Sequence, residues 1–313
     1  MNLIEVATVP VPLRPPPASA PAVVEYKVSW VSDWSQLSKP RIAVMVLLTV
    51  AVGYLMAAGT QPNWILLLHT LIGSFLAAAA SSILNQVMER DTDARMDRTR
   101  NRPLPAGRVS VDTARTVGVL TACAGLTYLV FLVNPVAAAV TGAICASYVF
   151  VYTPLKQRTA WNTLVGAIPG ALPPVIGFAA ATGTVPSAAW TLFGILFIWQ
   201  FPHFWAIAWL YREDYAQAGL VMLPNIDTEE GGLTGRMMMR TGQLLLVVSL
   251  LPTVAGLTGN LYLCGALVLG LGFLAFIFRF WQQPSRQRAR HVLWASLVYL
   301  PLVYLLLLAD RIM

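Results

Sequence analysis

Asn85, Glu89 and Asp93 are four residues apart, and Arg98 and Arg102 repeat that spacing just beyond them. On a helix, residues four apart lie one above another on the same face. Two carboxylates and an amide stacked in this way offer hard oxygen ligands to a magnesium ion carrying a diphosphate. Arginine grips phosphate oxygens through paired hydrogen bonds. The segment starts where a long apolar run ends, so acids for a metal and arginines for phosphate meet at a membrane edge. That combination points to diphosphate chemistry on a prenyl-type substrate. Asp91 faces nearly the opposite side of such a helix and reads as a partner for an arginine, and Asp97 reads as structural.

A second charged segment, Tyr211-Arg212-Glu213-Asp214-Tyr215, follows a later apolar run in the same way. Two such segments on one membrane side can close over a single site. Asp214 is then a candidate ligand for a second metal, and Arg212 a candidate phosphate contact. Lys156 and Arg158, on a third loop, are further candidates for the diphosphate. His203 lies in Trp199-Gln-Phe-Pro-His203-Phe204. A lone histidine inside a membrane helix is costly to leave unpaired, so it is either functional or bonded to a neighbour such as Gln200 or a backbone carbonyl. His69 and His291 lie near span ends and read as interfacial residues.

The elements that must position these groups are set by the bilayer. Of 313 residues, 57% are hydrophobic and 11% charged, against about 25% charged in an average soluble domain. Mean hydropathy is +0.65. Apolar stretches near 42–60, 63–84, 114–133, 135–153, 162–182, 186–210, 241–258, 260–280 and 291–309 predict nine membrane helices. The runs are continuously apolar rather than alternating, which excludes a β-barrel. The predicted class is therefore an all-α polytopic membrane protein. Pro169, Pro173 and Pro174 break the fifth helix, which is tolerated where neighbours or a water-lined cavity satisfy the freed groups.

The loops after helices 2, 4, 6 and 8 carry the positive charge, whereas those after helices 3, 5 and 7 carry none. The positive-inside rule then puts the N-terminus and the charged loops in the cytoplasm. The pI near 9.6 reflects this topology, and no basic patch interleaved with aromatics suggests nucleic acid. Cys123, Cys145 and Cys264 sit singly within spans and form no metal motif. Residues 1–25, rich in Pro and Ala, are expected to be a disordered tail and not a signal peptide. Residues 27–40 read as a short interfacial helix bearing Trp30 and Trp34, and residues 26–313 as one domain.

The run from Asn85 through Arg102-Pro-Leu-Pro-Ala-Gly-Arg108 resembles the first motif of the UbiA superfamily of membrane prenyltransferases, and within it the haem-farnesylating branch. Tyr152-Thr-Pro-Leu-Lys156-Gln-Arg158-Thr, Pro169-Gly-Ala-Leu-Pro-Pro174, Trp199-Gln-Phe-Pro-His-Phe204 and Arg212-Glu-Asp-Tyr-Ala-Gln-Ala-Gly219 resemble that branch too. Glu89 departs from the superfamily's first aspartate by one methylene. Tyr211 and Tyr215 stand where the wider superfamily has a second pair of aspartates.

The resemblance covers about residues 35–310. It implies nine helices around a central cavity, Mg2+ as cofactor, farnesyl diphosphate as donor and haem b as acceptor. It also implies His203, Trp199 and Phe204 as haem contacts, a bacterial inner membrane, and partners such as a haem A synthase or oxidase assembly proteins. Two other readings compete. One is a UbiA-type transferase acting on an aromatic quinone or chlorophyll precursor. The other is a transporter, which the clustering of charge at one membrane face disfavours.

Overall fold

The computed structural model describes residues 29–312. The expected disordered tail of residues 1–25, and the first two residues of the expected interfacial helix, lie outside that range. A short helix α1, Trp30–Ser38, leads into α2, Pro40–Ala58, and α3, Trp64–Asp93. After a long loop come α4, Val111–Leu132, and α5, Pro135–Ala146. A π-helical turn, Ser147–Tyr152, and α6, Thr153–Leu155, continue α5. Then follow α7, Asn162–Ala171, α8, Pro173–Thr182, and α9, Ser187–Leu210. The short helices α10, Arg212–Gln217, and α11, Leu223–Ile226, precede α12, Gly232–Val248, and α13, Leu251–Val254. Two long helices, α14, Asn260–Gln282, and α15, Arg286–Ile312, complete the chain. Among the described residues, nine helical spans are long and apolar enough to cross a membrane.

The starts of several helices are written in the sequence. Asn63 accepts from the amides of Ile65 and Leu66 at the head of α3. Ser110 accepts from Thr113 at the head of α4, and Asn134 from Ala137 at the head of α5. Each side chain satisfies an amide that the first turn leaves without a partner. α3 has 30 residues, so it runs for about 45 Å, well beyond a hydrocarbon core of about 30 Å. Its last turns therefore emerge from lipid still helical, and these turns carry Glu89 and Asp93. The apolar pattern placed the end of this helix near residue 84, because the pattern registers the lipid boundary and not the helix end.

Polar residues hid the start of the seventh span in the same way. α12 begins at Gly232 rather than near 241 because Asp227 Oδ2 accepts from Thr234 N at 2.7 Å and Thr234 Oγ1 at 2.6 Å. The fifth span is interrupted at Leu172, between α7 and α8, where Pro173 and Pro174 remove amides. α2 and α8 approach backbone to backbone. A Cβ at Gly53 would collide with the Pro174 carbonyl, and one at Gly177 with that of Val50. Small residues at such seams allow the dispersion contact that holds helices together in lipid. The main core joins α9, α12, α14 and α15 through Trp199, Trp209, Phe273, Phe280 and Tyr299, all buried.

Candidate functional site

The emerging end of α3 is surrounded by cations from three other segments. Asn85 is buried, with Oδ1 3.3 Å from Lys39 Nζ. One turn on, Glu89 Oε1 lies 2.7 Å from Lys156 Nζ, and both side chains are 14% exposed. A further turn on, Asp93 Oδ2 lies 2.7 Å from Arg102 Nη1, with Asp93 almost fully buried and Arg102 26% exposed. The i, i+4, i+8 stack thus presents three oxygen donors in a row, each facing a positive group. Burial, followed by the charge of Arg102, lowers the pKa of Lys39 to about 8.

Each cation is delivered by identifiable local structure. Lys39 sits between α1 and α2 with φ of 48°, a left-handed conformation unusual for lysine. Pro40 starts the next helix, and Gln86 Nε2 donates to Leu37 O at 2.8 Å, tying α1 to α3. Arg102 lies in the loop between α3 and α4. Thr99 Oγ1 donates to Asp93 O at 2.8 Å, Leu104 is buried, and Arg108 bonds Asp33 of α1 at 2.9 Å. Lys156 follows the π-helical turn. There Thr153 Oγ1 donates to Tyr148 O at 2.9 Å and accepts from Asn85 Nδ2 at 3.1 Å. The Lys156 ammonium lies 4.5 Å from the centre of the Tyr152 ring. A single π-turn inside an α-helical span commonly marks a functional position.

The charged loops also meet one another. Met96, Ala218 and Leu220 form a small buried cluster with Tyr215 packed against it. The Arg98 guanidinium lies 4.7 Å from the Tyr211 ring centre and 5.8 Å from that of Tyr215. Val221 N donates to Lys156 O, and Asn162 Nδ2 to Val221 O. The segments after the second, fourth and sixth spans are thereby joined into one polar cap.

Among the residues singled out from sequence, Asn85, Glu89, Asp93, Arg102 and Lys156 come together. Arg98 is exposed and stacks on the second charged segment instead of reaching an acid. Arg158 is exposed. Arg212 lies over Trp209, 4.6 Å from its ring centre, and lines a separate recess with Glu213 and Asn225. Asp214 is half-buried on α10 and is not gathered with Glu89 and Asp93. No three His, Cys, Asp or Glu residues cluster closely enough to hold a metal among the described residues. Asp97 pairs with Arg100 at 3.2 Å on the exposed surface, whereas Asp91, expected to partner an arginine, makes no ion pair among the described residues.

His203 bonds Ser296 of α15, Nδ1 to Oγ at 2.7 Å, rather than Gln200 or a carbonyl. Trp199 Nε1 donates to Ser296 O at 2.9 Å, and the Trp199 and His203 rings stack 4.5 Å apart. Phe204 meets His203 edge-on and is 41% exposed. No hydrogen bond, ion pair or ring contact among the described residues links this cluster to the acids of α3.

Sequence reasoning gave no role to Lys39, Tyr148, Tyr152 or Thr153, although Tyr152 and Thr153 lie in a motif that carried the resemblance and Lys39 stands directly ahead of the first span.

Comparison with known proteins agrees with this architecture. The model of the UbiA prenyltransferase family matches residues 46–300. A protoheme IX farnesyltransferase from Solibacter usitatus is 47% identical over 288 residues, spanning 89% of this chain and 98% of that protein. A solved digeranylgeranylglyceryl phosphate synthase superimposes with a TM-score of 0.75 at 15% identity, covering 90% of this chain and 98% of the other. A UbiA homologue from Archaeoglobus fulgidus, bound to DMAPP and Mg2+, superimposes with a TM-score of 0.63 at 19% identity, covering 88% and 99%. The two solved structures bear on the fold, and the family match and the Solibacter relative on descent. The chain belongs to the UbiA prenyltransferase family.

Proposed function

We propose that this enzyme transfers the farnesyl group of farnesyl diphosphate to a vinyl group of haem b. The C1–O bond of the donor breaks and the vinyl carbon takes the farnesyl chain. Water then adds as hydroxyl with loss of a proton, giving haem O and diphosphate. The observation that carries this reading is the row of three oxygen donors on α3, each opposed by a cation from a different segment. The Solibacter relative, a protoheme IX farnesyltransferase, supports haem b and a farnesyl donor over a quinone or chlorophyll precursor.

The donor set fits Mg2+. Asn85, Glu89 and Asp93 offer only hard oxygen, and each already draws a positive group to itself. An ion held by them would neutralise charge developing on the departing diphosphate. Asp214, on α10 and apart from these acids, would meet that diphosphate or a second ion only through water. Arg102 and Lys156 release their acids and turn to the phosphate oxygens, while Arg98 keeps its place against Tyr211 and Tyr215 and Arg158 and Arg212 stay outside the cluster. Cations fixed before the reaction stabilise a leaving group without further reorganisation. The cap formed by Met96, Tyr215 and Leu220 excludes water from the allylic cation. His203, through the ring nitrogen that Ser296 does not use, contacts the porphyrin together with Trp199 and Phe204. The cap faces the cytoplasm of a bacterial plasma membrane, and haem A synthase or oxidase assembly proteins are the partners that would receive the product.

The decisive experiment incubates purified protein with farnesyl diphosphate, Mg2+, haem b and a small aromatic acid, followed by mass spectrometry. A haem species carrying one farnesyl chain and one added water is expected. Intact haem alongside a prenylated aromatic acid would refute this reading in favour of a quinone-type acceptor. Flux of an unmodified substrate would point to a transporter.

A further inference from the structure

The turn between α14 and α15 carries charge that the site just described does not use. Arg279, Arg286, Arg288, Arg290 and His291 fall within thirteen residues, and no acid occurs anywhere from residue 231 to 309. Net positive charge after an even-numbered span is all that topology requires. Topology does not require the charge to be organised around a recess, yet it is. A cavity of about 330 Å³ is lined by Phe276, Arg279, Gln287, Arg288 and His291.

The recess is built before any ligand arrives. The Arg288 guanidinium donates to Arg279 O at 2.8 Å, Gln283 O at 3.3 Å and Gln283 Oε1 at 2.7 Å, which locks the turn. Arg279 is then held on one wall, with its guanidinium 6.0 Å from the centre of the Phe276 ring. Gln287 and His291, one turn apart on α15, form the other wall. Neither Arg279, Arg286 nor Arg290 has an acid within ion-pair distance among the described residues. The acidic turn ahead of α12 does approach, through Gly231 against Pro284. Two of its carboxylates have other partners, Glu229 pairing with Arg236 at 2.6 Å and Asp227 accepting from Thr234, and the third, the exposed Glu230, makes no ion pair with these arginines. Phe276, in that lining, is 38% exposed at the end of a span, an apolar ring open beside the basic groups.

We propose that this recess binds the phosphate of an anionic phospholipid, with Arg279 and His291 contacting the phosphate and Phe276 flanking the glycerol and acyl chains. Basic pockets between membrane helices are suited to such headgroups. The exposed Phe276 ring favours a lipid over free phosphate, which would gain nothing from it.

The test uses full-length protein in phosphatidylcholine nanodiscs doped with phosphatidylglycerol, with retained lipid counted by native mass spectrometry after gentle delipidation. One phosphatidylglycerol per chain is expected to persist while phosphatidylcholine is lost. Arg279→Gln combined with His291→Gln should weaken retention about five- to tenfold, the effect of losing roughly one surface cation or somewhat more. Arg279→Lys should hold within about twofold of wild type. Arg115→Gln, an exposed change on the same membrane face, should have no effect. Arg288 is left intact, because its loss would unlock the turn. Equal retention of the two lipids by wild-type protein would overturn the proposal without any variant being needed. So would unchanged retention in the double variant, or displacement of the lipid by millimolar inorganic phosphate, which would mark a free-phosphate site.

Discussion

Asp93→Asn should leave a folded protein that does not turn over, and the two halves of that outcome can be estimated separately. The substitution keeps the side-chain shape and removes one charge. At 2.7 Å from Arg102, an effective dielectric constant of about 20 gives roughly 6 kcal/mol of attraction. Burying the Asp93 carboxylate costs several kcal/mol in lost hydration, so the pair adds little net stability. The variant carries no such cost, and Arg102, 26% exposed, can recover water contacts. Stability should therefore change by less than about 2 kcal/mol. Turnover is a different matter. If Asp93 is one of two carboxylates holding the metal, its loss removes several kcal/mol of transition-state stabilisation, and about 4 kcal/mol is a thousandfold in rate. The assay pairs thermal unfolding in detergent with product formation from farnesyl diphosphate and haem b at saturating Mg2+. A variant with unchanged melting that retained about a tenth or more of wild-type kcat would refute the metal role, since that loss needs only about 1.4 kcal/mol.

Arg102→Ala strands the Asp93 charge, so Mg2+ alone should bind at least as tightly as in wild type. Affinity for the prenyl diphosphate should fall about ten- to a hundredfold, and titrations in which neither affinity moved would remove the phosphate assignment. His203→Ala should shift the Soret band of bound haem, whereas Ser296→Ala should leave the band nearly in place and cost about 1–2 kcal/mol of stability from the lost hydrogen bonds to His203 and Leu293 O. An unmoved band in His203→Ala would mean that the residue serves only the α9–α15 seam. Burial raises the Asp227 pKa, but hydrogen bonds from Thr234 and Glu229 outweigh this and hold it below its ordinary 3.8. Its stabilising effect is therefore complete above that value and lost as pH falls through the lower folded-state pKa. Asp227→Asn should melt earlier than wild type at neutral pH, and the gap should close in acid. A gap that widened on acidification would refute the capping role.

What could be read from the chain, and what could not, follows from the range of the forces involved. The number of spans was legible because the bilayer fixes helix length locally, and the runs that satisfy it are contiguous. The oxygen stack was legible because i, i+4 spacing fixes a helix face without reference to other elements. The assignment of cation to acid was not legible. Lys39 is 46 residues from Asn85, and Lys156 is 67 from Glu89. Such pairings depend on how helices pack, which charge alone does not encode. Lys39 was hidden further because it read as the end of an interfacial helix. The π-turn depends on Thr153 serving both Tyr148 and Asn85, again across 68 residues. His203 was legible as a polar group needing a partner. The partner, Ser296, is 93 residues away and could not be read from the sequence.

The pairing of acids with cations itself bears on how the proposed reaction proceeds. Two carboxylates on α3 face three basic side chains, so the cluster carries an excess of about one positive charge. A prenyl diphosphate brings roughly three negative charges and Mg2+ two positive, which that excess nearly cancels. In a low-dielectric setting at a membrane edge, uncompensated charge is costly, and this balance keeps both the free and the loaded cluster close to neutral. The exchange needs no large backbone motion, because Lys39, Arg102 and Lys156 hang from anchored segments and only their heads must move from acid to phosphate. The cap is held by apolar contacts at Met96, Ala218 and Leu220 and by Arg98 stacked on two tyrosines, not by the ion pairs at the acids. Rearranging those ion pairs around the substrate therefore leaves the cap closed while the allylic cation needs protection from water. Leu220→Ser should then raise the ratio of farnesol to prenylated haem with little change in Mg2+ affinity, and an unchanged product ratio would separate the cap from water exclusion.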